Sequence, residues 1–218
     1  MTKFHLDAGD FNDWLPPNLE DGSDAVWVRG YMNDPSDATN TLYLTDPRYA
    51  KLAPYTGAAA KLYKCPSDRS RHVRTVSMSQ AVGCNPGPPL RPVDGPWLDG
   101  THHHLARHPW RTYGRFSDMT GPTPSGLWVL TDENALGLND AAFALSMETP
   151  TAWLDWPGTY HNFGCTLAFA DGHVEIHHWA DGRTRMADGD DSGTLQPNNA
   201  DITWLQQRTS AKAAGAQN

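Results

Sequence analysis

The chain is predicted to be an α+β domain: an N-terminal helix packed on a small antiparallel β-sheet, with long loop insertions. Three observations carry that expectation. An apolar stripe at helical spacing opens the chain, strand-like runs follow it, and 17 prolines with 19 glycines in 218 residues demand many turns. The length suits one domain, residues 1–218, with a real core, and no internal repeat or second boundary is visible.

Phe4, Ala8, Phe11 and Leu15 fall at i, i+4, i+7 and i+11, one stripe of a helix over residues 3–15. Pro16-Pro17 ends it. Residues 16–40 read as a polar loop. Leu42 to Thr56 reads as a short helix with Asp46 as N-cap and Pro47 at its first position. Lys61–Lys64 and Val73–Met78 read as short strands, and residues 83–125 as a long irregular insertion rich in Pro, Gly, His and Trp. Gly126-Leu-Trp-Val-Leu-Thr131 is a strand closed by Asp132-Glu133, and Ala141–Met147 suits either a strand or a helical turn.

The clearest local signal lies further on. Asp171-Gly172 suits a two-residue type I′ turn, which needs φ > 0 at both central residues. Folding there pairs Phe169 with Val174 and Leu167 with Ile176, and puts all four on one apolar face. Beyond Arg183 the apolar content falls, and residues 205–218 read as a flexible tail.

A net charge of −8 leaves no basic patch for phosphates, so no nucleic-acid partner is expected. Mean hydropathy is −0.59, and no apolar run approaches 18 residues. Cys65 and Cys84 are spaced to close a disulfide in an oxidising compartment, whereas Cys165 lies on the inner face of the hairpin as a buried free thiol.

His161, nine residues, then Asp171-Gly172 resembles the H-x9-DG signature of prepilin-type proteins similar to the pseudopilins of type II secretion. Asn12-Asp-Trp-Leu-Pro-Pro-Asn18, Tyr63-Lys-Cys-Pro-Ser-Asp68, Val76-Ser-Met-Ser79 and Leu130-Thr-Asp-Glu133 extend the resemblance over residues 3–180. It implies that a leader and an apolar helix precede Met1, so that residues 1–15 are the remnant of a pilin-type helix. It implies a precursor anchored in the inner membrane and a periplasmic or extracellular domain. The function it implies is structural, a subunit of a type II secretion or type IV pilus-like filament. Its partners would be other pilin-like subunits, met through the apolar helix.

Several residue sets invite chemistry. His173, Glu175 and His177, at i, i+2 and i+4 on a strand, share a face that suits zinc. The plainer reading is a solvated edge strand. His102-His103-His104 and His108 would close such a site from the insertion. Asp188, Asp190 and Asp191 suit calcium, and the pseudopilin resemblance implies a calcium in a C-terminal loop. Asp132 and Glu133, with Asp140 and Glu148 in reach, are weak candidates for acid/base work on a glycoside, and the resemblance makes them a framework motif. His161 and Asp171 are the remaining catalytic candidates, but a strand rising about 3.3 Å per residue separates them. No assembled catalytic motif is readable, so the chain leans away from enzymes. Two alternatives stay open. One is an extracellular polysaccharide-binding or polysaccharide-cleaving protein, motivated by nine tryptophans, among them Trp97, Trp110, Trp153 and Trp156 in or beside loops. The other is a metal-dependent hydrolase using the histidines.

Overall fold

The structure is a computed structural model that describes residues 10–19, 26–102, 109–148, 150–185 and 194–213. It is an α+β fold with few, short helices and two sheets. The main sheet contains β1 (Val76–Ser79), β4 (Trp128–Asp132), β5 (Ala142–Phe143), β6 (Gly164–Phe169) and β7 (Val174–His178) in the order β5-β1-β4-β6-β7. A small second sheet pairs β2 (Cys84–Asn85) with β3 (Arg91–Pro92).

The main sheet is mixed rather than antiparallel. β1 runs parallel to β5, with Met78 opposite Ala142, and the other pairs are antiparallel. Side chains alternate across it. On β6, Cys165, Leu167 and Phe169 enter a tryptophan-rich core with Trp128, Phe143, Trp153 and Trp179. On the opposite face Met78 and Val129 pack with Leu15, Trp27, Leu98 and Tyr113. Both faces of the central strands are therefore covered, which is why β4 is buried along most of its length.

The N-terminal stripe does not continue as a helix through residue 15. Among the described residues, Phe11 to Asp13 form a turn in which Asn12 and Asp13 have φ of 54° and 72°. Phe11 is exposed while Leu15 enters the core, so they do not share a face. Residues 1–9 lie outside the described residues. The span 42–56 holds two single turns, Leu42–Thr45 and Ala53–Thr56. Asp46 caps as expected, its carboxylate taking the Arg48 N–H and its carbonyl the N–H groups of Tyr49 and Ala50, but what it caps is a single turn and not a helix running to residue 56. Residues Ala60–Tyr63 form a 3-10 turn instead of a strand.

The insertion 83–125 is irregular but anchored. Leu98 and Tyr113 are core residues, and Tyr113 N–H bonds the Ala81 carbonyl at 2.8 Å. The tail is also held through residue 213. Asn199 caps the helix Ala200–Gln206, accepting the N–H groups of Asp201 and Ile202. Ile202 and Leu205 then dock into the tryptophan core, and Thr209 Oγ1 accepts Trp128 Nε1–H at 2.8 Å. This order comes from distant partners, so low apolar content in the tail did not signal it. Among the described residues, no helix is long and apolar enough to cross a membrane.

The hairpin exists, but one residue out of the expected register. Cys165 faces His177, Leu167 faces Glu175 and Ala168 faces Val174. Ala170 N–H bonds the Leu127 carbonyl at 2.8 Å, which draws Ala170 into the loop. The loop is therefore Ala170-Asp171-Gly172, closed by Phe169 N–H on the His173 carbonyl. Gly172 alone takes positive φ, 96°, as a three-residue loop requires. One residue of shift exchanges the faces of β7. Val174 and Ile176, expected inside, are 57% and 52% exposed.

Candidate functional site

Three segments far apart in sequence meet at the end of β4. Asp132 closes the strand. Cys65 starts the Cys65-Pro-Ser-Asp68 turn, with Pro at its second position and Asp68 N–H on the Cys65 carbonyl at 3.0 Å. His161 starts the turn that enters β6.

That second turn is the type I′ turn that the sequence placed at Asp171-Gly172. Asn162 and Phe163 have φ of 51° and 61°, and His161 and Gly164 exchange backbone hydrogen bonds of 3.1 and 3.2 Å. Gly164 fits because a Cβ there would come within 2.7 Å of the His177 carbonyl oxygen.

Cys65 Sγ lies 3.5 Å from His161 Nε2. One ligand atom each from Cys65, Asp132 and His161 lie within 4.8 Å of one another. Cys65 and Asp132 are each 5% exposed, whereas His161 is half-buried and reaches solvent. Thr75 joins the turn to the strand. Its hydroxyl accepts the Cys65 N–H at 2.8 Å and donates to Asp132 Oδ1 at 2.9 Å. Burial pushes the Cys65 thiol above its ordinary range, and hydrogen bonds from Ser67 and Asp68 pull against it. Burial also raises the Asp132 carboxyl, opposed by hydrogen bonds from Thr75 and Thr166 and by the nearby His161. A nucleophilic cysteine needs the reverse, a lowered pKa. The cluster thus has the donors of a metal site and lacks an activated thiolate.

The other candidates are dispersed. Glu133 turns away from Asp132 into a fully buried site, where Ser77 Oγ donates to it at 2.5 Å. Burial, with Asp155 and Asp140 nearby, pushes its carboxyl well up. Beneath it the buried Arg74 guanidinium donates to the carbonyls of Val76 and Asp140 at 3.0 and 2.9 Å. Glu148 instead accepts Trp110 Nε1–H. Asp132 and Glu133 therefore form no acid/base pair. Asp171 sits at the far end of β6 from His161 and bonds His173 Nδ1 at 2.6 Å.

His173, Glu175 and His177 line an open groove of about 630 Å³ with Trp204 and Arg208. They do not converge: His173 stacks on Phe169 and His177 on Trp204, at 4.3 and 3.7 Å between ring centres. His102 lies against Trp97 with the rings tilted, while His103, His104 and His108 lie outside the described residues, as do Asp188, Asp190 and Asp191. Cys65 and Cys84 are free rather than bridged, and Cys165 is the buried free thiol expected. None of the nine tryptophans is exposed; Trp153 and Trp156 are core residues.

No protein-family model, curated protein or solved structure matches the chain.

Asp132 and His161 are among the residues the sequence singles out, whereas Cys65 is there expected in a disulfide. The usable signal is the Cys-Pro-Ser-Asp turn, which fixes the cysteine at the start of a tight turn. Its partners are 67 and 96 residues away in sequence, a separation that spacing rules do not reach.

Proposed function

We propose that this chain is the globular domain of a pseudopilin-like cell-envelope protein, a structural and assembly subunit of a type II secretion or type IV pilus-like filament. One observation carries this reading. Four segments that bear the family resemblance come together in a single framework. Tyr63–Asp68 meets Leu130–Glu133 through Thr75, with hydrogen bonds from Cys65 N–H and to Asp132. Val76–Ser79 pairs with β4 and bonds Glu133 through Ser77. The H-x9-DG run supplies β6 and brings His161 against Cys65. Motif residues spent on holding strands and turns together suit a scaffold and leave little for turnover. Trp153 and Trp156 are buried and Trp97 and Trp110 half-buried, so no exposed tryptophan supports a polysaccharide platform. The dispersed strand histidines likewise leave a hydrolase built on them without support.

On this reading the native precursor sits in the inner membrane through an apolar helix, its globular domain periplasmic or extracellular, and meets other pilin-like subunits through that helix. The test is fractionation and in-cell crosslinking of the native protein in its host. Inner-membrane or filament fractions with crosslinks to pilin-like subunits are expected. Recovery in the cytoplasm without such crosslinks overturns the reading, as does saturable hydrolysis lost on changing Asp132 or His161 in a folded variant.

A further inference from the structure

The geometry points to a zinc-class metal site in which Cys65 Sγ, His161 and Asp132 are the protein ligands and a fourth position is left to water or an added ligand. This goes beyond the scaffold reading and does not depend on it.

The ligand atoms lie at the right separations. Tetrahedral zinc with bonds of about 2.3 Å to sulfur and about 2.0–2.1 Å to nitrogen sets those two ligand atoms about 3.5 Å apart. Cys65 Sγ and His161 Nε2 are 3.5 Å apart. A carboxylate oxygen of Asp132 completes a triangle with no side over 4.8 Å, so a small inward movement seats an ion. The donor set is selective as well. Sulfur, imidazole and carboxylate suit zinc or a related first-row ion, whereas calcium and magnesium take oxygen.

Neighbouring groups support the ligands. Thr75 and Thr166 hold the Asp132 carboxylate, as outer-shell donors commonly do. The half-buried His161 leaves the site open to solvent on one side. Binding exchanges the Cys65 thiol proton for a metal–sulfur bond and releases the proton to solvent.

The experiment uses the 218-residue chain, stripped with a chelator and titrated with Zn²⁺ and, separately, Co²⁺. Wild type should bind one equivalent of either and melt higher in zinc by mass action. The cobalt form should show a thiolate-to-cobalt charge-transfer band. Cys65→Ser should lose the band. Zinc affinity should fall by more than the roughly 10–100-fold that loss of a supporting residue brings. His161→Gln, at the solvent side of the cluster, gives the same answer if Cys65→Ser does not fold. Cys84→Ser and Cys165→Ser should keep both band and stoichiometry. No bound metal in folded wild type, a band that survives Cys65→Ser, or zinc lost only when His102, His103 and His104 become alanine would each overturn the site.

Discussion

The two ends of β6 carry the two halves of one sequence signature, and they are built differently. At the Asp171-Gly172 end the side-chain partner is close in sequence, while the backbone N–H groups of Ala170 and Asp171 reach the carbonyls of Leu127 and Pro124. Asp171 accepts from His173 N–H two residues on, and Gly172 takes the left-handed backbone at φ 96°. At the His161 end the backbone is also left-handed, but Asn162 and Phe163 hold it, and the partners are Cys65 and Asp132. The glycine end puts its left-handed backbone on a glycine, where it costs little, and its long-range bonds are backbone ones. The histidine end is strained and rests on tertiary contacts, and strained backbone persists where its surroundings over-determine it. The comparison teaches that a motif of fixed spacing can join a turn signal to an anchoring residue that share only a strand.

The largest expected effect lies beside the histidine end. Thr75→Val keeps shape but removes the hydroxyl that serves Cys65 N–H and Asp132 Oδ1 together. Two buried polar groups lose a partner, so chemical denaturation should show a loss of about 2–4 kcal/mol. A loss under about 1 kcal/mol would break the claim that tertiary bonds hold this end.

Gly172→Val comes next, at about 1–3 kcal/mol, because a β-branched residue resists φ of 96°. Wild-type melting would place the turn elsewhere. Phe163→Gly has the opposite sign. It relieves left-handed backbone at φ 61° at the cost of an exposed ring under Arg185. Stability should rise by up to about 1 kcal/mol. A marked loss would show that the ring, not the backbone, secures the turn.

Glu133→Gln tests the buried carboxyl behind the site. Its folded pKa lies above the unfolded one. As pH rises through the ordinary carboxylate range, the unfolded chain releases its proton first, so Glu133 costs stability there. The amide should match wild type near pH 4 and exceed it increasingly toward pH 8. Urea melts across that range measure the difference, and an advantage that shrinks as pH rises would reverse the assignment. The smallest effect belongs to Ile176→Thr. With Ile176 exposed on β7, the change should stay within about 0.5 kcal/mol. A core-sized loss would restore the two-residue turn and its register.

Much of the sheet was legible. β4 and β6 lie where apolar runs and turn residues put them, because strand formation near a tight turn depends on neighbours in sequence. The parallel pairing of β5 was not, since nothing local distinguishes a parallel from an antiparallel partner. The helix expected over 42–56 breaks into single turns: Asp46 caps the stretch after it, but that stretch ends within one turn.

What the sequence determined by itself is the α+β class, the strand β6 with its buried Cys165, the glycine-dependent turn after it, and the separation of His161 from Asp171. These follow from side-chain period, backbone sterics and chain length, which act over a few residues. Tertiary structure decided the register of the hairpin, through one hydrogen bond from Ala170 to Leu127. It decided the order of residues 205–213, through Trp128 and its neighbours. It also decided that Cys65, rather than pairing with Cys84, stands against His161 and beside Asp132. Contacts between residues tens of positions apart form only when the packed core holds their backbones together, and no local pattern records which ones will meet.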